Sequence, residues 1–361
     1  STVWFWMCAV GYPILAWSFA LVASLAYRQT ARGSALANNR VSDEAEQACH
    51  EAASQPLTVY GYGWRFSSDK EENGLRSILD GQVQSGLRPS AAFPGNDVHA
   101  RWIDIPEQPF YPGNELGEHT RHLVVCEWLV THVLADVSEA LVSLPAKTLL
   151  HVHLCLHSRL KVEPVVARVQ QALQALHAPS DVRIEFQESL SIFTTDGWLD
   201  RRDRKVAHLV IAIQLRNAIS EMLVGGAAEA GVALLLGHPR LLEEPNASAL
   251  RLHRPARGKA NEAADVIGRA SRWGKTSAKE FGAIWTNGLL EDDQSLVRRS
   301  VNVSEQAQWR SIESSVGHCE DAGGWLAVAL AAANADQASS PQLVLCAQDS
   351  ELTALVCRKH T

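Results

Sequence analysis

The sequence predicts an α/β protein of two similar halves, led by a membrane-spanning helix. Three features point there. Strand-like and helix-like segments alternate through the chain twice, and each run closes on two strands near each other in sequence. Strands such as LVIAIQL and ALLLG are apolar on both faces, which marks a sheet covered by helices on either side. Residues Val3 to Tyr27 carry no charged side chain.

That first stretch, VWFWMCAVGYPILAWSFALVASLAY, exceeds the ~20 apolar residues that span a bilayer. Trp4, Trp6 and Tyr27 lie near its ends, where aromatic rings favour the interface, and Arg28 follows directly. Pro13 is tolerable in such a helix, with a kink. A cleavable signal peptide fits less well, because no basic segment precedes an apolar run of this length. Arg28, Arg32 and Arg40 follow the span, so the positive-inside rule puts the rest of the chain in the cytoplasm, with a single pass. The expected divisions are a transmembrane helix over 1–28, a polar tether over 29–56 with a helix across Asp43–Ala53, and halves over 57–240 and 241–361.

The first half opens on LTVYGYGWRF (57–66), an alternating aromatic strand in which Gly61 and Gly63 imply close backbone approach. A polar helix over Glu71–Gly81 and an irregular stretch from Arg88 to Pro112 follow. Leu123, Val124, Trp128, Val130, Leu134, Val137 and Leu141 recur at helical spacing, predicting one helix from Glu118 to Leu144. Strand LLHVHLCLH (149–157), a helix over Pro164–Leu176, and strands VRIEFQ (182–187), Ala207–Leu215 and Gly231–Gly237 complete this half. The second half carries ALRLHR and FGAIWTN, a helix over Gly323–Ala335, and the closing strands Gln342–Ala347 and Leu352–Arg358.

Composition narrows the function. With 361 residues, 46% hydrophobic and a formal charge of -7, the chain is an ordinary folded protein without the basic block that nucleic acid requires. Its seven cysteines are scattered, with no CxxC pair for a zinc ribbon or thioredoxin-like site. Gly225 and Gly226 lack the GKS/T of a phosphate loop, and no cofactor is expected.

The segment SSVGHCEDAGGWLAVALAAANA (314–335), with QLVLCAQDSELTALVCR (342–358) behind it, resembles the β-ketoacyl synthase and thiolase-like proteins. There a Gly–His pair opens a long buried helix and two strands close the fold. MLVGGAAEAGVALLLGHP (222–239) is similar to the small-residue segment and closing strand of the first half. The resemblance implies a five-layered αβαβα arrangement of two packed halves. It also implies a nucleophilic Cys at a helix start just after VRIEFQ, where the dipole and nearby imidazoles would activate it. ESLSIFTTDGWLDRRDRK (188–205) holds no Cys, only Ser189 and Ser191. The first family histidine belongs beyond FGAIWTN, where Asn287 stands instead. His318 alone matches a catalytic position, which implies a pseudoenzyme. The bland reading of His318 is a helix-start residue whose ring bonds to backbone or neighbours, so that its replacement would affect stability more than chemistry. Cys319 beside it is an alternative nucleophile.

Other groups remain open. His151, His153 and Cys155 alternate along one strand face, either as part of a metal site completed from elsewhere or as the polar lining of a buried strand. His119 and His122 share a helical face near a helix start, and RRDRK (201–205) is a solvated turn or a docking patch. The membrane helix, tether and glycine-bearing opening strand also resemble the type VI secretion lipase adaptor proteins of Gram-negative bacteria. That implies effector loading with a secreted effector or secretion component as partner. The expected function is thus a membrane-anchored, non-catalytic adaptor or scaffold, bound to the bilayer through residues 3–27 and to a protein partner. A homodimer is possible by analogy. The alternatives are a divergent acyltransferase or condensing enzyme, and a metal- or ligand-binding sensor at the membrane.

Overall fold

The computed structural model describes residues 2–179, 181–201, 203–242, 249–301 and 303–360. It divides into two units, Ser1–Ala53 and Ser54–Thr361.

The N-terminal unit is helical throughout. Helix α1 (Val3–Trp6) runs through a π-helical turn (Met7–Gly11) into α2 (Tyr12–Ala53). The π-turn sits where Pro13 lacks an N–H and crowds the carbonyl of Ala9, so the kink expected from sequence takes this form. One 18-residue window of this helix has mean hydropathy 1.7, long and apolar enough to cross a membrane. The stretch read as a tether departs from expectation, because α2 continues unbroken to Ala53 instead of forming only over 43–53. Alanines and i,i+4 pairs sustain it: Arg40 donates to Glu44 (2.8 Å) and Gln47 to Glu51 (3.1 Å).

The second unit begins with β1 (Leu57–Arg65), α3 (Leu75–Leu79) and a small hairpin of β2 (Leu87–Pro89) and β3 (Asp97–His99) inside the stretch read as irregular. Then come α4 (Glu115–Asp136), α5 (Ser138–Val142), β4 (Leu149–His157), α6 (Val162–Ala175), β5 (Asp181–Gln187), α7 (Thr195–Arg201), β6 (Val206–Gln214) and β7 (Ala230–Gly237). The single helix expected over 118–144 is therefore two. It breaks at Val137, just after Asp136 takes two hydrogen bonds from Arg65 (2.6 and 2.9 Å). Asp136 also packs on Gly63, where a Cβ would lie 2.5 Å from the Asp136 Cβ, so the close approach read into this glycine is real. The later elements are β8 (Leu250–Leu252), β9 (Ala256–Lys259), α8 (Ala263–Trp273), β10 (Ala283–Asn287), α9 (Glu291–Ser300), β11 (Gln308–Ser311), α10 (Ile312–Ser315), α11 (Glu320–Ala338), β12 (Gln342–Gln348) and β13 (Glu351–Lys359).

The duplication is visible in the ladder. From one edge the order is β5-β4-β6-β7-β1, and from the other β11-β10-β12-β13-β8. In each half the first three strands are parallel and the next two pairings antiparallel. β1 pairs with β8 through Leu57–Leu252 and Thr58–Arg251, which joins the halves into one eleven-stranded sheet with β9 on β13.

Three apolar clusters make the five layers. Val125, Leu129 and Val133 of α4 and Val169 of α6 cover the outer face of the first half. Val266 and Ile267 of α8 and Val297 of α9 cover that of the second. Between the inner faces lies α11, whose residues from Ala322 to Ala335 are all buried. It packs on Val210 and Val232 of one half and on Trp285 and Val344 of the other. Small side chains let both sheets close on it, which explains a helix apolar all round.

Candidate functional site

Two helix starts meet between the halves. In the first, Ser191 takes an extended conformation after β5, and its hydroxyl accepts from the Phe193 N–H (3.3 Å) as the cap of the turn leading into α7. In the second, the chain turns at Gly317 (φ 118), where a Cβ would come within 2.6 Å of the Ala228 side chain. The His318 N–H then donates to the Gly226 carbonyl (2.7 Å), and the His318 carbonyl accepts from Ala228 N–H (3.1 Å) and from Arg216 (2.9 Å). This short bridge pins the start of α11 to the loop before β7.

That loop is held by a buried ionic cluster. The Glu229 carboxylate accepts from Arg121 (2.9 and 2.6 Å) and from the Ile103 and Arg216 N–H groups (2.8 and 2.7 Å). Glu118 accepts from Arg121 (3.1 Å) and from the Ile219 and Ser220 N–H groups (2.8 and 2.9 Å). Burial works against its charge, but these partners and His122 hold the Glu118 carboxyl down at about 2. His122 is buried, with Nε2 3.0 Å from the Arg216 carbonyl and Nδ1 accepting from the Arg159 N–H (3.0 Å). These residues therefore brace the loop behind the site.

A cavity of about 220 Å³ opens between the helix starts, lined among others by Ser191, Asn287, Gly288, His318, Asp321 and Cys346. Its walls bring together the three positions that the sequence resemblance implies for catalysis. Asn287 is buried at the end of β10, and a Cβ on Gly323 would overlap its Oδ1. Among the described residues that Oδ1 has no hydrogen-bond partner. Asp321 accepts from Gln348 (3.1 Å) and lies 3.3 Å from Nε2 of His157 at the end of β4. Asp321 and Gln348 were missed from sequence, although Asp321 lies inside the stretch that carried the resemblance.

The chemistry available is limited. The His318 ring is exposed, and among the described residues it has no hydrogen-bond partner. The expectation of a ring bonded to its surroundings thus gives way to a backbone anchor with a free side chain. Cys319 is fully buried, its Sγ 3.5 Å from the Gly317 carbonyl, and burial pushes its thiol up to about 12. It lies outside the cavity wall, so no thiolate is available there for the role of alternative nucleophile. Cys346 does line the cavity, but burial raises its thiol as well. Ser189 accepts from Gln348 (3.2 Å), and no base touches either Ser189 or Ser191 among the described residues.

The other residues singled out from sequence fall elsewhere. His151, His153 and Cys155 do share a face of β4; His208 of β6 joins the two histidines, and Cys155 Sγ lies 4.0 Å from Asp321. RRDRK includes residue 202, outside the described residues. Trp4, Trp6, Tyr27 and Arg28 are exposed on the N-terminal helix.

No protein-family model matches the chain. No curated protein matches it. Solved structures do. A type II PKS acyl-carrier protein in complex with its ketosynthase bound to the hexaketide (AntDE:AntF) is 11% identical, with TM-score 0.57, over 84% of this chain and 99% of that one. The ishigamide ketosynthase/chain length factor is 14% identical, with TM-score 0.55, over 85% of this chain and 100% of that one. The ketosynthase from module 1 of the bacillaene synthase of Bacillus amyloliquefaciens FZB42 is 12% identical, with TM-score 0.55, over 86% and 76%. At these identities the likeness shows the fold: this chain has a ketosynthase/thiolase-like α/β fold, with a helix ahead of it that can cross a membrane.

Proposed function

We propose that this protein is a membrane-anchored, non-catalytic member of the ketosynthase-like fold that works by binding another protein. The observation that carries this reading is the helix start at Ser191. Condensing chemistry needs a thiolate at that position, and here a hydroxyl stands there, engaged in capping its own turn. The thiols nearest the cavity are held protonated by burial. A cavity without a nucleophile can still support a fixed surface, and the ionic cluster behind it keeps that surface rigid. A ketosynthase of this fold is known in complex with an acyl-carrier protein, which supports a protein as the partner. The resemblance to type VI secretion lipase adaptors supports a secreted effector, loaded at the inner membrane from the cytoplasmic side.

A second reading is favoured by the convergence of Ser191, Asn287 and His318 on one cavity: a divergent acyl-transferring enzyme. One experiment separates the two. The full chain in mild detergent is incubated with acyl-thioester analogues and weighed intact, then used as bait for partners in native membranes. The adaptor reading expects no mass increase and one stoichiometric partner, retained by Ser191→Ala. A covalent adduct that disappears in Ser191→Ala or His318→Ala overturns it in favour of the enzyme.

A further inference from the structure

The inner face of the first-half sheet carries three imidazoles. His151 and His153 project from β4, and His208 projects from the β6 position paired with His151. Each offers a ring nitrogen, and the three nitrogens lie within 4.8 Å of one another. His153 Nε2 is 3.0 Å from His208 Nδ1. The Trp198 ring of α7 lies flat on His208 (centroids 4.4 Å apart, planes 5° apart) and tilts over His153 at 4.5 Å. This packing fixes both rings. On the neighbouring strand, Glu185 lies 2.9 Å from His151 Nε2.

Burying three imidazoles on one sheet face is costly unless their nitrogens are used. His153 is 2% exposed, and among the described residues its Nδ1 has no hydrogen-bond partner. A buried polar atom of this kind is where an ion is expected. We propose that His151, His153 and His208 together bind a divalent transition metal of the zinc class. Zinc takes imidazole nitrogens readily, and three of them leave a fourth position for water or another small donor. Glu185 accepts the Nε2 proton of His151, which leaves the lone pair on Nδ1 for the metal, the usual part of a carboxylate behind a ligating histidine. A pocket of about 240 Å³, lined by Trp198, Asp203, Arg204 and His208, gives access from solvent.

The other grouping of potential ligands, Cys155, His157 and Asp321, is less suited. Burial, with the Asp321 charge, pushes its thiol up to about 12, and Asp321 is already bonded to Gln348 and His157. His153 and Cys155 are only two strand residues apart, about 7 Å, so the two groupings are told apart by substitution.

The test uses the full chain in detergent, stripped with chelator and equilibrated with Zn²⁺ or Co²⁺, with bound metal counted by mass spectrometry and Co²⁺ geometry read by visible absorption. One equivalent is expected, with the intense band of a four-coordinate Co²⁺ site. His153→Ala and His208→Gln should bind at least tenfold more weakly, while Cys155→Ser and His318→Ala bind as the parent does. Near-UV circular dichroism of the metal-free variants establishes that they are folded. The proposal is overturned if the parent binds no metal above a buffer control. It is equally overturned if folded His153→Ala and His208→Gln bind as tightly as the parent, or if Cys155→Ser alone removes the metal.

Discussion

The two halves share a ladder but differ in the helix that each contributes between their inner faces. In the second half that helix is α11, 19 residues long and buried from Ala322 to Ala335. In the first it is α7, only 7 residues, which buries Thr195, Trp198 and Leu199. The inner strands follow suit: β10 and β12 present Trp285 and Val344, while β4 and β6 present His151, His153 and His208. The second-half inner face is mostly apolar, and its buried Gln342 is paired, accepting from Asn334 of α11 (2.8 Å) and from Trp285 (3.3 Å); leaving such a group unpaired costs about 1–3 kcal/mol. On the first-half face α11 covers Val210 and Val232, while Trp198 of α7 covers His153 and His208, which pair with one another.

The sharpest way to break this comparison is at the two stacked tryptophans, Trp325 of α11 and Trp198 of α7, whose ring centroids are 6.2 Å apart. Trp325 is wholly buried and donates to the Leu190 carbonyl (2.6 Å), so Trp325→Ala should lose about 3–5 kcal/mol in denaturant unfolding. Trp198 borders a solvent-reached pocket, and Trp198→Ala should lose clearly less. Equal losses would mean that α7 supports the core as α11 does, and the asymmetry would have no energetic content.

A milder contrast uses one glycine in each helix. Gly323→Ala drives a methyl into the Asn287 side chain at the cavity wall, and overpacking of this kind costs about 1–3 kcal/mol. A Cβ on Gly197 of α7 meets nothing within 4 Å. Gly197→Ala should therefore be neutral or stabilise by up to ~1 kcal/mol through helix propensity alone. Thermal unfolding of the two variants side by side checks the sign.

Buried histidines in both halves make stability sensitive to acid. Burial, then the Arg358 charge, lowers His253 in the second half from 6.5 to about 4. The unfolded chain takes up that proton first, so this contribution to stability is complete above pH 6.5 and is lost as pH falls toward 4. Glu118 in the first half is held at about 2 against 4.5, so its contribution is complete above pH 4.5 and is lost as pH falls toward 2. His253→Gln should reduce the slope between pH 6.5 and 4 without abolishing it, because burial also lowers His153 and His208 of the first half. An unchanged slope between pH 6.5 and 4 would remove His253 as its cause.

How much of this was legible follows from the same asymmetry. The long helix at 323–335 and the strands 207–215, 231–237 and 342–358 were readable because each is a continuous apolar run whose burial dictates its composition. α8, α9, β9 and β11 were not read, and β11 in particular is a four-residue edge strand with Trp309 as its only apolar residue and no such signature. The helix through the tether was missed because its composition is polar, and a polar helix without a packing face has no periodicity to detect. At the site, His318, Asn287 and Ser191 were reachable through the resemblance. Asp321 and Gln348 were not, because they depend on which side chains a turn and a strand end aim into one cavity. His208 joins His151 only through strand register, which no single sequence displays.

The smallest expected effect falls on His318. The sequence suggested that His318 supports the helix start, but the structure assigns that work to its peptide group, through Gly226, Ala228 and Arg216. Removing an exposed ring without a partner should change stability by no more than ~0.5 kcal/mol. Gly317→Ala next door should cost several times more, since it combines φ 118 with a Cβ only 2.6 Å from Ala228. If His318→Ala instead destabilises as much as Gly317→Ala, the ring has a structural partner after all. If it leaves unfolding unchanged but abolishes partner capture or acyl labelling, the exposed imidazole is the working group of the cavity, and which readout fails separates adaptor from enzyme.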